Sequence, residues 1–188
     1  MKAALRWSHG LRLAVPGVTV LVLAVDQVSK SLVVAADPGG SVGGSVSVRL
    51  VRNTGASFGI GSGHPLVITL TAAAVLAVAL VLLARTRSRA LALSLAAVAG
   101  GAAGNLADRL FRGPGLGRGA VVDWIHVVVY PATFNIADVA IRLGAICAII
   151  AMLVAAPRQA KPGDTHPRLA GTVRLLRSRP CSGTRGSS

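Results

Sequence analysis

Apolar residues run along this chain in four long blocks, and polar residues fall between the blocks or toward their ends. The blocks are Leu11–Val34, Pro65–Ala84, Ala90–Leu110 and Phe134–Ala156. At a rise of about 1.5 Å per residue, each is long enough to cross the ~30 Å hydrocarbon core of a bilayer. The second block has no charged residue. The first is apolar to Val25 and then carries Asp26, Gln27, Ser29 and Lys30. The third turns polar at Asn105, Asp108 and Arg109, and the fourth opens with Asn135 and Asp138. This pattern predicts an all-α integral membrane protein with four transmembrane helices. The first block reads as a retained helix, because its apolar run is longer than the core of a cleaved secretory leader and charged residues follow directly.

Outside the blocks, Ser45–Val51 alternates polar and apolar residues, which suits a half-buried strand. Val121-Val122 and Val127-Val128-Val129 predict short partner strands, so a small extracytoplasmic β element is expected on the membrane surface. Gly113, Gly115, Gly117 and Gly119 make the loop before the fourth block a candidate lid. The stretch from Pro157 to Ser188 is rich in Arg, Pro, Gly and Ser. It is expected to be a disordered cytoplasmic tail, separate from a membrane domain at residues 1–156 and held near anionic lipids by its charge.

Charge adds an orientation. The net charge of +14 would suit nucleic acid only on a soluble fold with a continuous basic face, which four apolar blocks exclude. The Lys and Arg residues instead follow the loops. Three precede the first block's core (Lys2, Arg6, Arg12), three lie between the second and third blocks (Arg85, Arg87, Arg89), and seven lie beyond Pro157. The opposite side holds Arg49, Arg52, Arg109, Arg112 and Arg118. The excess of positive charge then places both termini in the cytoplasm. With that topology, Asp26 and Lys30, Asn105 to Arg109, and Asn135 and Asp138 all come to one depth near the outer surface, with Asp123 in the loop above them.

Carboxylates are the chemistry most in need of explanation. All six acids are Asp, and Asp26, Asp108 and Asp138 lie in or at the ends of apolar blocks, where a charge costs about 2.5–3.5 kcal/mol on insertion scales. Cys147 and Cys181 form no disulfide framework, and His9, His64, His126 and His166 are too scattered for a metal-ligand pattern. Asp26 and Lys30 are one helical turn apart and can pair. Gly101, Asn105 and Arg109 form a stripe on the third helix, where glycine permits close approach. Asp123 and Asp138 suit a catalytic pair: two nearby carboxylates share a proton, so one activates water while the other donates to a carbonyl. The competing arrangement pairs Asp138 with Arg142 and leaves Asp123 solvated.

Five stretches bear on that choice: DQVSK (Asp26–Lys30), NTGASFG (Asn53–Gly59), GGAAGNLADR (Gly100–Arg109), VVDWI (Val121–Ile125) and FNIAD (Phe134–Asp138). Their order and spacing resemble those of the bacterial lipoprotein signal peptidases, over about residues 12–156. The resemblance implies that Asp123 and Asp138 are a catalytic dyad. It also implies that Asp26, Lys30, Asn53, Gly55, Gly101, Asn105, Arg109, Asn135 and Ala137 support the site or hold the substrate. The implied activity is an aspartic endopeptidase that cuts diacylglyceryl-modified prolipoproteins before the lipidated cysteine. It needs no metal or organic cofactor and no nucleic acid. Lipid-modified prolipoproteins and membrane lipids are the expected partners, and the chain is expected to act as a monomer. Arg142 lies outside these blocks. Two other classes remain in view. A carrier would need polar steps across the whole bilayer, and here the inner half has almost none beyond Arg142. An anchoring protein would have no use for Asp123.

Overall fold

The computed structural model describes residues 9–38, 44–56, 60–61 and 63–155. Ser57, Phe58 and Gly59 of the second motif, and the basic stretch after Pro157, lie outside them. The elements follow the order α1 (His9–Ala36), β1 (Val46–Asn53), α2 (Pro65–Arg85), α3 (Arg89–Phe111), β2 (Val121–Val127), β3 (Thr133–Phe134) and α4 (Ile136–Ala155). All four helices are long and apolar enough to cross a membrane. Their starts follow from local chemistry. Pro65 opens α2, where its missing N–H costs nothing. The Ser88 side chain accepts from the Leu91 N–H and caps α3. Two expectations are corrected. The fourth helix begins later than its apolar block, because Phe134 belongs to β3 and Asn135 is the cap of α4. The partner strand is one continuous β2, which ends at Val127 before a turn at Val128-Val129.

Half of the apolar window of α3 is buried, against 11% for α1 and 17% for α2 and α4, so α3 is the central helix. It packs on the other three. Lipid chains are as apolar as leucine, so helices associate in a bilayer by close fit, which small residues allow. The buried face of α3 is accordingly Ala92, Ala96, Ala99, Gly100, Gly101, Ala102 and Gly104. A Cβ on Gly101 would lie 2.5 Å from the Ala137 carbonyl oxygen of α4, and one on Gly100 would lie 2.7 Å from the Thr19 carbonyl oxygen of α1. Leu13, Leu70 and Leu153 stay about 70% exposed on the outside of the bundle, as a lipid-facing surface requires.

The sheet sits at one end of the bundle in the order β1-β2-β3, antiparallel throughout. Val48 pairs with Ile125, but Val51 pairs with Asp123, so β1 carries one extra residue between them. That bulge has a consequence for the site. Side chains alternate faces along a strand, and a one-residue slip exchanges the faces. Without the extra residue, Asn53 would face away from Asp123; with it, the two share a face. The glycine-rich loop, the candidate lid, is tied to α2 and α3 at its C-terminal half. The Thr69 hydroxyl donates to the Gly117 carbonyl at 2.6 Å, and the Gly119 N–H donates to the Arg109 carbonyl at 3.1 Å.

Gly101→Ala should lower the thermal unfolding midpoint in detergent, by an overpacking cost of about 1–3 kcal/mol. Gly17→Ala, where nothing lies within 4 Å of the added carbon, should not. Equal midpoints would contradict this packing.

Candidate active site

One ammonium organises the sheet end of the bundle. Lys30 of α1 is fully buried. Its Nζ lies 2.8 Å from Asp26 Oδ2 and 2.9 Å from Asp108 Oδ2, and it donates to Asn105 Oδ1 at 3.0 Å. These contacts take all three ammonium protons. Asp26 uses its other oxygen to accept the Ala137 N–H of α4 at 2.9 Å. Gly104 makes room for this, since a Cβ there would lie 2.5 Å from Asp26 Oδ2. Asp108 accepts from Arg112 Nε at 2.7 Å, Gln27 Nε2 at 3.1 Å and the Val122 N–H of β2 at 3.1 Å. Lys30 and its two carboxylates thus join α1, α3, α4 and β2.

Three asparagines carry the pattern outward. Asn105 Oδ1 is taken by Lys30 and by Asn135 Nδ2 (3.2 Å), which leaves its Nδ2 to donate to Asp138 Oδ1 at 2.9 Å. Asn135 Nδ2 also donates to Asp123 Oδ1 at 2.7 Å, while Asn135 Oδ1 accepts the Asp138 N–H at 2.9 Å. The Asn135 N–H returns to Asp138 Oδ2 at 3.4 Å, which makes a reciprocal helix cap. Asn53 Nδ2 donates to Asp123 Oδ2 at 3.0 Å, and Asn53 Oδ1 accepts the Gly55 N–H at 2.9 Å. Arg109 Nη2 donates to the Gly55 carbonyl at 2.6 Å, whereas its buried Nε and Nη1 find no partner among the described residues.

Asp123 and Asp138 line one cavity of about 210 Å³ with Asn53, Asn105, Arg109 and Arg142. A larger apolar groove of about 650 Å³ adjoins it, sharing Thr71 and Val75 and running between α2 and α4 over α3. Among the described residues, no three His, Cys, Asp or Glu side chains gather as metal ligands.

This geometry can be set beside known proteins. The family model described as Signal peptidase (SPase) II matches residues 18–154. This chain belongs to the signal peptidase II family. It is 43% identical over 151 residues to the lipoprotein signal peptidase of Rhodococcus jostii (strain RHA1), covering 78% of this chain and 76% of that protein. It is 40% identical over 154 residues to that of Streptomyces griseus subsp. griseus, covering 79% and 78%. Its fold is similar to a bacterial membrane enzyme solved by the in meso method at 2.3 Å resolution. That match has a TM-score of 0.65 and 26% identity, and covers 77% of this chain and 91% of that one.

Every site residue drawn from the signal peptidase II resemblance falls in this one network, Gly101 by its packing on Ala137. The competing arrangement is not found. No ion pair joins Asp138 to Arg142, whose guanidinium lies over Tyr130 and Phe134, and Asp123 is only 2% exposed. Sequence reasoning left Asp108 and Gln27 without a role in the site, and read Gly104, with Gly101, only as permitting close approach of a neighbouring helix or a substrate backbone. A signal was present: Gly104, Asp108 and Arg112 are spaced at four residues on one helical stripe.

The Asp123 carboxyl is pushed up from 3.8 to about 6. Burial is the main cause and the Asp138 charge adds to it, while hydrogen bonds from Asn53 and Asn135 and the Lys30 charge pull the other way. A raised carboxyl pKa favours folding fully below 3.8, and that contribution is lost as pH rises through about 6. In infrared difference titrations, with the band assigned through Asp123→Asn, the midpoint should lie near 6, fall in Asp138→Asn and rise in Asn53→Ala. A midpoint of 3.8 in the unmutated protein would contradict this environment.

Proposed function

We propose that this chain is a membrane aspartic endopeptidase that removes the signal peptide from diacylglyceryl-modified prolipoproteins, cutting before the lipidated cysteine, with Asp123 and Asp138 as its catalytic pair. The observation that carries the reading is the placement of these two carboxylates on one asparagine, Asn135, at the wall of one cavity. Family membership supplies the reaction: signal peptidases II take signal peptides off prolipoproteins.

The division of labour follows from the surroundings. Asp123 is buried and, below about pH 6, holds the shared proton. Asp138 stands in the first turn of α4, where the positive end of the helix meets a negative charge, and accepts N–H groups from Asn105 and Asn135. Asp138 takes a proton from water, and the water oxygen bonds to the scissile carbonyl carbon. Asp123 gives its proton to the carbonyl oxygen. As the tetrahedral species collapses, the carbon–nitrogen bond breaks and the proton on Asp138 passes to the leaving nitrogen. The hydroxyl proton returns to Asp123, the signal peptide leaves with a carboxyl end, and the lipidated cysteine becomes an amino terminus. The Arg109 Nε and Nη1, without a partner among the described residues, suit main-chain carbonyls of the bound precursor. The apolar groove beside the cavity suits apolar chains of a substrate that never leaves the bilayer.

The Lys and Arg distribution supports both termini in the cytoplasm, the basic stretch at 157–188 with them, and the site at the outer face. A network completed within one chain supports action as a monomer at residues 1–156, with membrane lipids around it.

In a gel-shift assay with a diacylglyceryl-modified prolipoprotein, Asp123→Asn or Asp138→Asn should cut cleavage by at least about 10²–10⁴-fold, the range of acid–base catalysis, while insertion stays intact. Near-normal turnover in either variant rejects the dyad. Topology has its own check, in a background with Cys147 and Cys181 replaced by Ser. A membrane-impermeant maleimide should label Arg118→Cys in intact cells and Arg87→Cys only after lysis. The reverse labelling would invert the orientation.

A further inference from the structure

Arg142 lies one turn beyond Asp138, as the seventh of the 20 residues of α4, and lines the same cavity, so it is not the inner-half polar residue that the apolar pattern suggested; it belongs to none of the motif stretches. An arginine in an apolar helix calls for a partner. The near carboxylate, Asp138, is instead engaged by Asn105 and the Asn135 N–H. The guanidinium carbon rests 5.7 Å from the Tyr130 ring centroid and 5.9 Å from that of Phe134. The two rings are locked edge to face at 5.7 Å. Aromatic faces hold a cation in place without neutralising it.

The charges of the site leave a surplus. Behind Asn105, Lys30 and Arg112 are matched by Asp26 and Asp108. The cavity itself has two guanidinium groups, Arg109 and Arg142, against a carboxylate pair that holds one proton during the reaction. One positive charge is therefore left at the exposed end of the cavity, on Arg142.

We propose that Arg142 is a specificity-determining residue, which receives an acidic side chain flanking the scissile bond of the precursor and disfavours a basic one. The inference rests on the peptidase reading above. A charge contact at a partly exposed rim is expected to change relative rates by roughly tenfold.

The test uses the full-length protein in phosphatidylcholine vesicles, without and with added phosphatidylglycerol. The substrates are diacylglyceryl-modified prolipoproteins that differ only in carrying Asp, Asn or Lys after the lipidated cysteine, or two residues before it. The unmutated protein should prefer Asp over Lys by roughly tenfold in kcat/KM at one of these positions. Arg142→Lys should keep the preference, Arg142→Gln should abolish it, and Arg142→Glu should reverse it. An altered stability of the variants would not reverse a ratio between substrates. A ratio that is unchanged in Arg142→Gln and Arg142→Glu overturns the inference while leaving the peptidase intact. So does an effect of Arg142 that follows the phosphatidylglycerol content of the vesicles equally for all substrates, because the charge then serves the lipid. Failure of the unmutated protein to cut any of the substrates overturns the peptidase reading itself.

Discussion

A buried ammonium in an apolar bundle must find an acceptor for every proton, and Lys30 meets that demand with Asp26, Asp108 and Asn105. Breaking a buried pair by removing one partner costs about 3–5 kcal/mol, because the remaining charge is stranded. The acceptors are therefore held firmly, and each has further atoms to spend. Asp26 fixes the start of α4 through Ala137, Asp108 fixes β2 through Val122, and Asn105 reaches Asp138. The depth and direction of both carboxylates in the cavity follow from where that one ammonium sits.

The asparagines turn this position into chemistry. An amide has distinct ends, so committing Asn105 Oδ1 to Lys30 and Asn135 forces its NH₂ toward Asp138. Asn135 and Asn53 likewise present only donors to Asp123. The pair is thus built of acceptors supplied with protons from the scaffold, in a low-dielectric wall where two negative charges are hard to sustain together. The proposed reaction uses that constraint, with one proton shared by the pair and water activated between a base and an acid. The bulge in β1 serves the same end, because it brings Asn53 round to the face of Asp123.

Much of this was legible in the chain. The helices were, because lipid demands long apolar runs. The convergence of Asp26, Asn105 and Asp138 also was, because Asp26 and Asn105 sit late in the first and third runs, Asp138 sits early in the fourth, and successive runs alternate in direction. The sheet showed in the alternation of Ser45–Val51, and the doublet Leu50-Val51 breaks that alternation where the bulge falls. Less legible were features that depend on side-chain geometry. Whether Asp138 would choose Arg142 or Asn105 turns on a cap and two aromatic rings that no spacing reveals. The start of α4 was misplaced because Phe134 is apolar enough to join the block yet pairs as a strand. The anchoring of the glycine-rich loop by Thr69 was likewise invisible, since glycine spacing alone names no partner.

The central claim is that Asp123 and Asp138 act on a water molecule and never bond to the substrate. A single turnover in oxygen-18 water, with enzyme in excess over lipidated precursor, tests it most directly by mass spectrometry of both products and enzyme. The account predicts one heavy oxygen in the new carboxyl end of the released signal peptide and none in the protein. Heavy oxygen on either aspartate, or an unlabelled signal peptide, would contradict it.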